Sequence, residues 1–232
     1  PILMYKEAKD LPFQNIYAID FEFYGNDGDI PNIVCMVMQN IKTMEISRVW
    51  HDQLLEMKTP PFNMGENALV ITYFAPAEIQ SMLALNWKID VSIIDLFAEF
   101  RCETNGNPNI IRKGLVNALS YYELSHLIPE EKEEMRSLIL SGGPWTNDQR
   151  QDILNYCKQD VVALSPLFNA MLKHNPWSDL RLNQALLRGR YMKAVGSMQH
   201  RGIPIDLKVL QNLDNHWEQI KIDLIKTAIM SA

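Results

Sequence analysis

The sequence predicts an α/β protein, a mixed sheet of roughly five strands flanked by helices with a helical C-terminal extension. Three observations carry this. Runs of β-branched and aromatic residues concentrate before Asp95, they alternate with helical patterns from Ala68 onward, and beyond Asn175-Pro176 only helical spacing remains. A chain of 232 residues fits one domain with an appendage, so the expected division is 1–175 and 176–232.

In chain order, Ile16–Phe23 (IYAIDFEF) reads as a strand closed by Gly25 and the polar stretch Asn26–Asp29. Asn32–Lys42 and Glu45–His51 read as two more, an antiparallel meander after the first. Ala68–Phe74 (ALVITYF) is a nearly continuous apolar run, the pattern of a strand buried on both faces, and should be central. Pro76 suits the first turn of a helix continued by Ile79, Met82 and Leu83. Val91–Ile94 is a short strand leading into Asp95 and a helix over Leu96–Cys102. Asn105–Asn109 is a loop, Leu115–Leu124 and Pro129–Leu140 are helical, and Gly142-Gly143-Pro144 breaks the chain. Thr146 with Gln149 forms a capping box for a helix with a buried stripe of Ile153, Cys157, Val161 and Leu164. Ser165-Pro166 predicts the end of that helix or a kink. Farther on, Gly202 follows a helix end at His200-Arg201, and Asp206 caps a last helix. Its apolar seam of Leu210, Leu213, Trp217, Ile220 and Leu224 calls for a partner helix.

Composition excludes several classes. With 47% hydrophobic and 22% charged residues, and no apolar run near the roughly 18 residues of a membrane span, a soluble protein is expected. Three cysteines without a C-x-x-C pair signal neither a disulfide framework nor a zinc cluster, and no secretory signal opens the chain, so the expected home is a reducing cytoplasm. The five histidines (His51, His126, His174, His200 and His216) show no metal-ligand spacing and read as surface or packing residues. A formal charge of −6 disfavours a nucleic-acid partner at first sight. Between Arg181 and Lys208, however, six basic side chains face one acid, Asp206. Arg188, Arg190, Lys193 and Arg201 in that stretch are candidate phosphate contacts, although the same pattern suits a solvated basic helix.

Asp20 and Glu22 lie two apart on the first strand and so share a face. Two adjacent carboxylates repel unless a cation neutralises them, which makes them candidate ligands for a hard divalent metal. Taken alone, such a pair far more often marks a solvent-facing acidic edge. Between Ile19, Phe21 and Phe23 an acid needs a reason to be there. Tyr156 and Asp160, four apart, are neighbours on one helix face beside the buried stripe. Glu78 falls in the first turn of the helix opened by Pro76, where the helix dipole alone would also favour it.

Together, D-x-E on an early strand, an acid some sixty positions on at a helix start, and Y-x-x-x-D on a late helix resemble the three motifs of the DEDDy 3′→5′ exonucleases, which include the proofreading domain of DNA polymerase I and ribonuclease D. The resemblance covers roughly residues 15–172. It implies an RNase H-like core and phosphodiester hydrolysis with two ions, Mg2+ or Mn2+. Asp20 would bridge the ions, Glu22 and Asp160 would complete one site, and Glu78 would serve the other through water. The Tyr156 hydroxyl would orient the nucleophilic water. Glu78 departs from the family's usual aspartate in YFAPAEIQSM, and Asp95 in SIIDL matches a following aspartate with a supporting or structural role. Arg190–Leu210, with G-I-x-I-D at its core, resembles the passage of a family-A DNA polymerase from exonuclease toward thumb, and Asp20–Arg101 looks more like phage or plasmid polymerases than like cellular DNA polymerase I. The expected partners are a single-stranded DNA 3′ end or frayed primer terminus and a polymerase domain of the same longer chain. Two alternatives stay open: a free-standing ribonuclease D-like exoribonuclease, and a degenerate exonuclease domain kept as a scaffold or DNA-binding platform.

Overall fold

The structure, a computed structural model, describes residues 4–26, 28–125 and 129–230. Its strands are β1 (Met4–Tyr5), β2 (Asn15–Tyr24), β3 (Asn32–Asn40), β4 (Ile46–Trp50), β5 (Ala68–Thr72), β6 (Ser92–Asp95) and β7 (Trp177–Ser178). Its helices are α1 (His51–Glu56), α2 (Ala75–Ala84), α3 (Leu96–Glu103), α4 (Leu115–Tyr121), α5 (Pro129–Leu140), α6 (Asn147–His174), α7 (Asp179–Arg201) and α8 (Leu207–Met230). Among the described residues, five strands form one mixed sheet in the order β4-β3-β2-β5-β6. The meander β2-β3-β4 is antiparallel, and β2-β5-β6 is parallel. β5 is buried throughout, as its apolar run predicts, but the middle strand is β2.

Alternation along β2 sorts the core into two layers. Ile16 and Ala18 pack with α6, α4 and α3 residues, whereas Tyr17, Ile19 and Phe21 pack with α2, Met36 and Trp87. Asp20 and Glu22 continue the row of Ile16 and Ala18, so they project on the α6 side. Pairing of β2 with β5 ends at Ala18, opposite Ile71. The two acids therefore stand beyond the C-terminal end of β5, where a parallel sheet leaves a crevice.

The capping box of α6 forms as predicted: the Thr146 hydroxyl accepts the Gln149 amide at 3.2 Å, and Gln149 Oε1 accepts the Thr146 amide at 2.9 Å. Of the two outcomes expected at Ser165-Pro166, an end or a kink, the end does not occur: α6 runs on to His174 with Pro166 inside it. An internal proline costs about 3 kcal/mol. Leu164, Leu167, Phe168, Met171 and Leu172 are all buried around it, and each gains about 1.5–3 kcal/mol by burial, so continuation wins.

The chain forms two compact units, Pro1–His200 and Arg201–Ala232. The first extends past the expected boundary at Asn175 for two reasons. β7 pairs with β1 and buries Trp177 completely against Phe168, an unpredicted strand after Pro176. α7 then lies so close to the sheet that a Cβ at Gly189 would stand 1.8 Å from the Ile93 carbonyl oxygen, and one at Gly196 2.7 Å from Ile79 Cβ. In the second unit Gly202 takes φ 72°, and the Asp206 carboxylate accepts the Lys208 and Val209 amides at 2.9 and 3.1 Å, the predicted cap of α8. None of the described residues of α8 is buried, and its seam of Leu210, Leu213, Trp217 and Leu224 is exposed. Among the described residues no helix is long and apolar enough to cross a membrane.

Candidate active site

Asp20 and Glu22 emerge from β2 side by side, and α6 crosses above them. A carboxylate oxygen of each and the Cys157 sulfur all lie within 4.8 Å of one another. The Cys157 thiol donates to the Asp20 carbonyl at 3.4 Å and to Asp20 Oδ2 at 3.5 Å. Burial pushes this thiol well above its ordinary range, and Cys35, Asp20 and Glu22 push it the same way. It is therefore a neutral donor that steadies Asp20, since only the thiolate is a good metal ligand. Burial, and then the Asp160 charge, push the Asp20 carboxyl up to about 8 against the pull of Cys157 and Lys132. Glu22 is raised well above the usual range by burial and by Asp20.

Glu78 reaches the same end of the sheet from α2. Phe74, in left-handed backbone at φ 79°, turns the chain out of β5, and Pro76 stands in the first turn of the helix. That places Glu78 at 3% exposure, with Oε2 lacking a hydrogen-bond partner among the described residues. Burial pushes its carboxyl well above the usual carboxylate range; Asp20 adds to this, and the Phe21 amide and Thr72 oppose it. A first-turn glutamate on an exposed helix would show none of this.

Asp160 comes from α6, one turn after Tyr156. Burial raises its carboxyl and Lys132 of α5 lowers it, with burial the larger effect. Lys132 Nζ donates to both Asp160 oxygens, at 2.6 and 2.7 Å, and stands 5.4 Å from the centre of the Tyr156 ring. Burial, followed by Asp160, Glu22 and Asp20, holds the Tyr156 phenol well above its ordinary range. Two hollows adjoin the acids. One of about 500 Å³ is lined by Leu119, Leu124, Lys132, Asp160, Ala163 and Pro166; the other, of about 230 Å³, by Glu22, Phe23, Arg136, Ile139 and Tyr156.

Asp20, Glu22, Tyr156 and Asp160 are thus brought together, with Glu78 in electrostatic reach of Asp20 and Glu22; Asp95 also acts on Glu78, but its own carboxylate is taken up by backbone amides. Its carboxylate, 1% exposed, accepts the amides of Phe74 and Ala75 (3.0 Å each), Phe97 (2.9 Å) and Ala98 (3.3 Å), which caps α3 and pins the start of α2. Among the basic candidates, Arg188 turns inward instead. Its guanidinium makes two 2.6 Å bonds to Glu99, itself 1% exposed, so it neutralises a buried charge. Arg190 and Arg201 are exposed and Lys193 is half-buried. His126 lies outside the described residues. Lys132, Arg136 and Cys157 are site residues that sequence patterns do not single out: the first two sit in the charged run EEKEEMR, which reads as a solvated face, and Cys157 reads as part of the apolar stripe. One signal was available, because Lys132 precedes Met135 and Ile139 at helical spacing and so shares their inward face.

No family model matches the chain, and no curated protein matches it by sequence. Solved structures do match. The apo form of a nuclease aligns at 16% identity and TM-score 0.56 over 84% of this chain and 89% of that one. Escherichia coli RNase D, an exoribonuclease involved in structured RNA processing, aligns at 16% identity and TM-score 0.52 over 88% of this chain and 49% of its own. Brucella melitensis NrnC with bound Mg2+ aligns at 14% identity and TM-score 0.50 over 83% and 89%. The fold is RNase H-like. The chain spans about half the length of RNase D and most of the other two.

Proposed function

We propose that the chain is a divalent-metal-dependent nuclease that removes nucleotides from the 3′ end of a nucleic acid. One observation carries this reading: carboxylates from β2, α2 and α6 converge beyond the end of β5 on a fold that nucleases share. The donor set suits Mg2+ or Mn2+, since it offers hard oxygen ligands and no histidine. It also fits physically. Four carboxyls whose charged forms are disfavoured by burial, with the partnerless Glu78 Oε2 among them, are reconciled by a bound cation. NrnC, with its bound Mg2+, is consistent with this.

Asp20, Glu22 and Asp160 would hold one ion, and Asp20 with Glu78 a second. Divalent ions in such a setting supply a nucleophilic water near neutral pH and offset charge on the leaving 3′ oxygen. The remaining work falls to the chain. The Tyr156 phenol, kept protonated by its surroundings, is a hydrogen-bond donor that orients the attacking water. Leu119, Leu124, Ala163 and Pro166 give the larger hollow an apolar wall on which a nucleoside would pack. Arg136, beside Glu22 and Tyr156, offers a guanidinium to a phosphate.

In its finer form the proposal is proofreading for a family-A DNA polymerase, acting on a single-stranded DNA 3′ end or frayed primer terminus in the cytoplasm. Arg190–Leu210 supports it, with Arg190, Lys193 and Arg201 as phosphate contacts. An RNase D-like exoribonuclease is the second reading, favoured by the likeness to RNase D. The degenerate-scaffold reading rested on Glu78, and the burial of that carboxylate beside the other acids weakens it. The test is digestion of 5′-labelled DNA and RNA oligonucleotides, with free or blocked 3′ ends, in Mg2+, Mn2+ or EDTA. A metal-dependent ladder receding from free 3′ ends is expected, and the preferred sugar separates the two readings. Cleavage of blocked strands, or digestion in EDTA, overturns the proposal.

A further inference from the structure

We propose that Lys132 is a tethered counter-ion that competes with the divalent cation for Asp160, so that α5 must give up this ion pair before the site is loaded. The inference rests on the metal-binding reading above and deepens it. The Lys132 ammonium takes both Asp160 oxygens, at 2.6 and 2.7 Å, and each side chain is 18% exposed. A Mg2+ ion binds carboxylate oxygen at about 2.0–2.1 Å, so at the same carboxylate it would meet the repulsion of an ammonium that already occupies a lone pair on each oxygen.

Position and chemistry fit such an exchange. Lys132 is the inward-facing cation of its helix, one turn before Met135, while Glu133 and Glu134 are exposed. Its helix is lightly held, since Ile139 is the one fully buried residue among its described positions. A lysine head on a flexible four-carbon stem moves without backbone rearrangement, and the 500 Å³ hollow that Lys132 and Asp160 line together gives it somewhere to go. Without the metal, Lys132 keeps a buried acid from standing unpaired; with the metal, that task disappears.

Two measurements on the full chain decide the matter: Mn2+ affinity by titration calorimetry, and Tm in EDTA and in saturating Mn2+. Lys132→Met should bind Mn2+ about fivefold more tightly, the equivalent of removing a partly exposed ion pair. It should also melt earlier than wild type in EDTA, with the deficit vanishing in Mn2+. Lys132→Met combined with Asp160→Asn should regain Tm in EDTA, because no acid is left unpaired. Arg136→Met removes a charge from the same helix without a described ion pair, and its effect on affinity should be clearly smaller. Should Lys132→Met fold poorly, Lys132→Gln keeps the stem and is expected to show the same trends more weakly. Unchanged or weaker Mn2+ binding, or a Tm deficit that persists in Mn2+, overturns the inference and leaves a structural ion pair. If wild type binds Mn2+ through Asp20, as Asp20→Asn would reveal by abolishing the heat, such a result sinks only the role of Lys132. If wild type binds no Mn2+, the metal-binding reading fails and the inference falls with it.

Discussion

The Asp95 carboxylate accepts the Phe74 amide at 3.0 Å, and this bond fixes where α2 begins. Phe74 stands at φ 79°, a region costly for a bulky residue unless its surroundings enforce it. The same carboxylate holds Ala75 and caps α3. Asp95→Ala should therefore cost about 3 kcal/mol through lost caps and stranded amides, read as a lower urea midpoint. In the molecules that remain folded, turnover should fall less than in Glu78→Gln, because Asp95 acts on the site only through the start of α2. Loss of turnover at full stability would instead place Asp95 in the chemistry.

Glu78 should behave in the opposite way. Glu78→Gln removes a charge whose burial is unfavourable, so stability in EDTA should hold or rise. Nuclease rate should fall by about 100-fold, the scale for a group that helps hold a metal through its outer shell. A variant with near-wild-type rate would remove Glu78 from the site.

Stability without metal should depend on pH in a definite direction. Asp20, Glu22, Glu78 and Asp160 all have weaker acidity in the fold than in the unfolded chain, with Asp20 near 8. Between the ordinary carboxylate range and about 8 the folded state holds more protons, so stability falls as pH rises through that window. Tm in EDTA should drop from pH 5 to pH 9, by about 2–4 °C for each kcal/mol lost. Saturating Mg2+ should flatten the curve by favouring the charged forms. A flat profile in EDTA would mean that the acids are not crowded as described.

Truncation should separate the two candidate domain ends. A chain ending at Asn175 loses β7, the buried Trp177 and all of α7, and is expected to be strongly destabilised; burying one tryptophan alone accounts for about 3–5 kcal/mol. A chain ending at His200 should fold and unfold cooperatively. Gly189→Ala tests the same contact, because its methyl collides with the Ile93 carbonyl. Full stability of the 175-residue form would restore the earlier boundary.

The basic residues divide by task. Arg190→Gln and Lys193→Gln should each reduce the salt slope of DNA binding by about one unit if they meet phosphates. Arg188→Met should instead lower stability, because it strands the buried Glu99. Equal salt slopes for all three variants and wild type would exclude this face of α7 from binding.

The order of the five sheet strands and of most helices, the capping box at Thr146, the cap at Asp206 and the pairing of Asp20 with Glu22 were legible because each rests on local periodicity; β1, α1 and β7 were not read. Side chains two apart on a strand or four apart on a helix share a face whatever the rest of the chain does. Whether α6 would end at Pro166 or continue through it was not legible, since the proline penalty is local while the burial that outweighs it comes from β2, β3 and the other helices. The pairing of β7 with β1, the inward turn of Arg188 and the hold of Lys132 on Asp160 likewise join residues far apart in sequence. No spacing rule reaches across such separations. Glu78 shows the division most clearly. Its place in the first turn of α2 was set by Pro76 and the strand before it, but its burial among the other carboxylates was decided only when β5 ended short of Asp20 and left α2 to close over the gap.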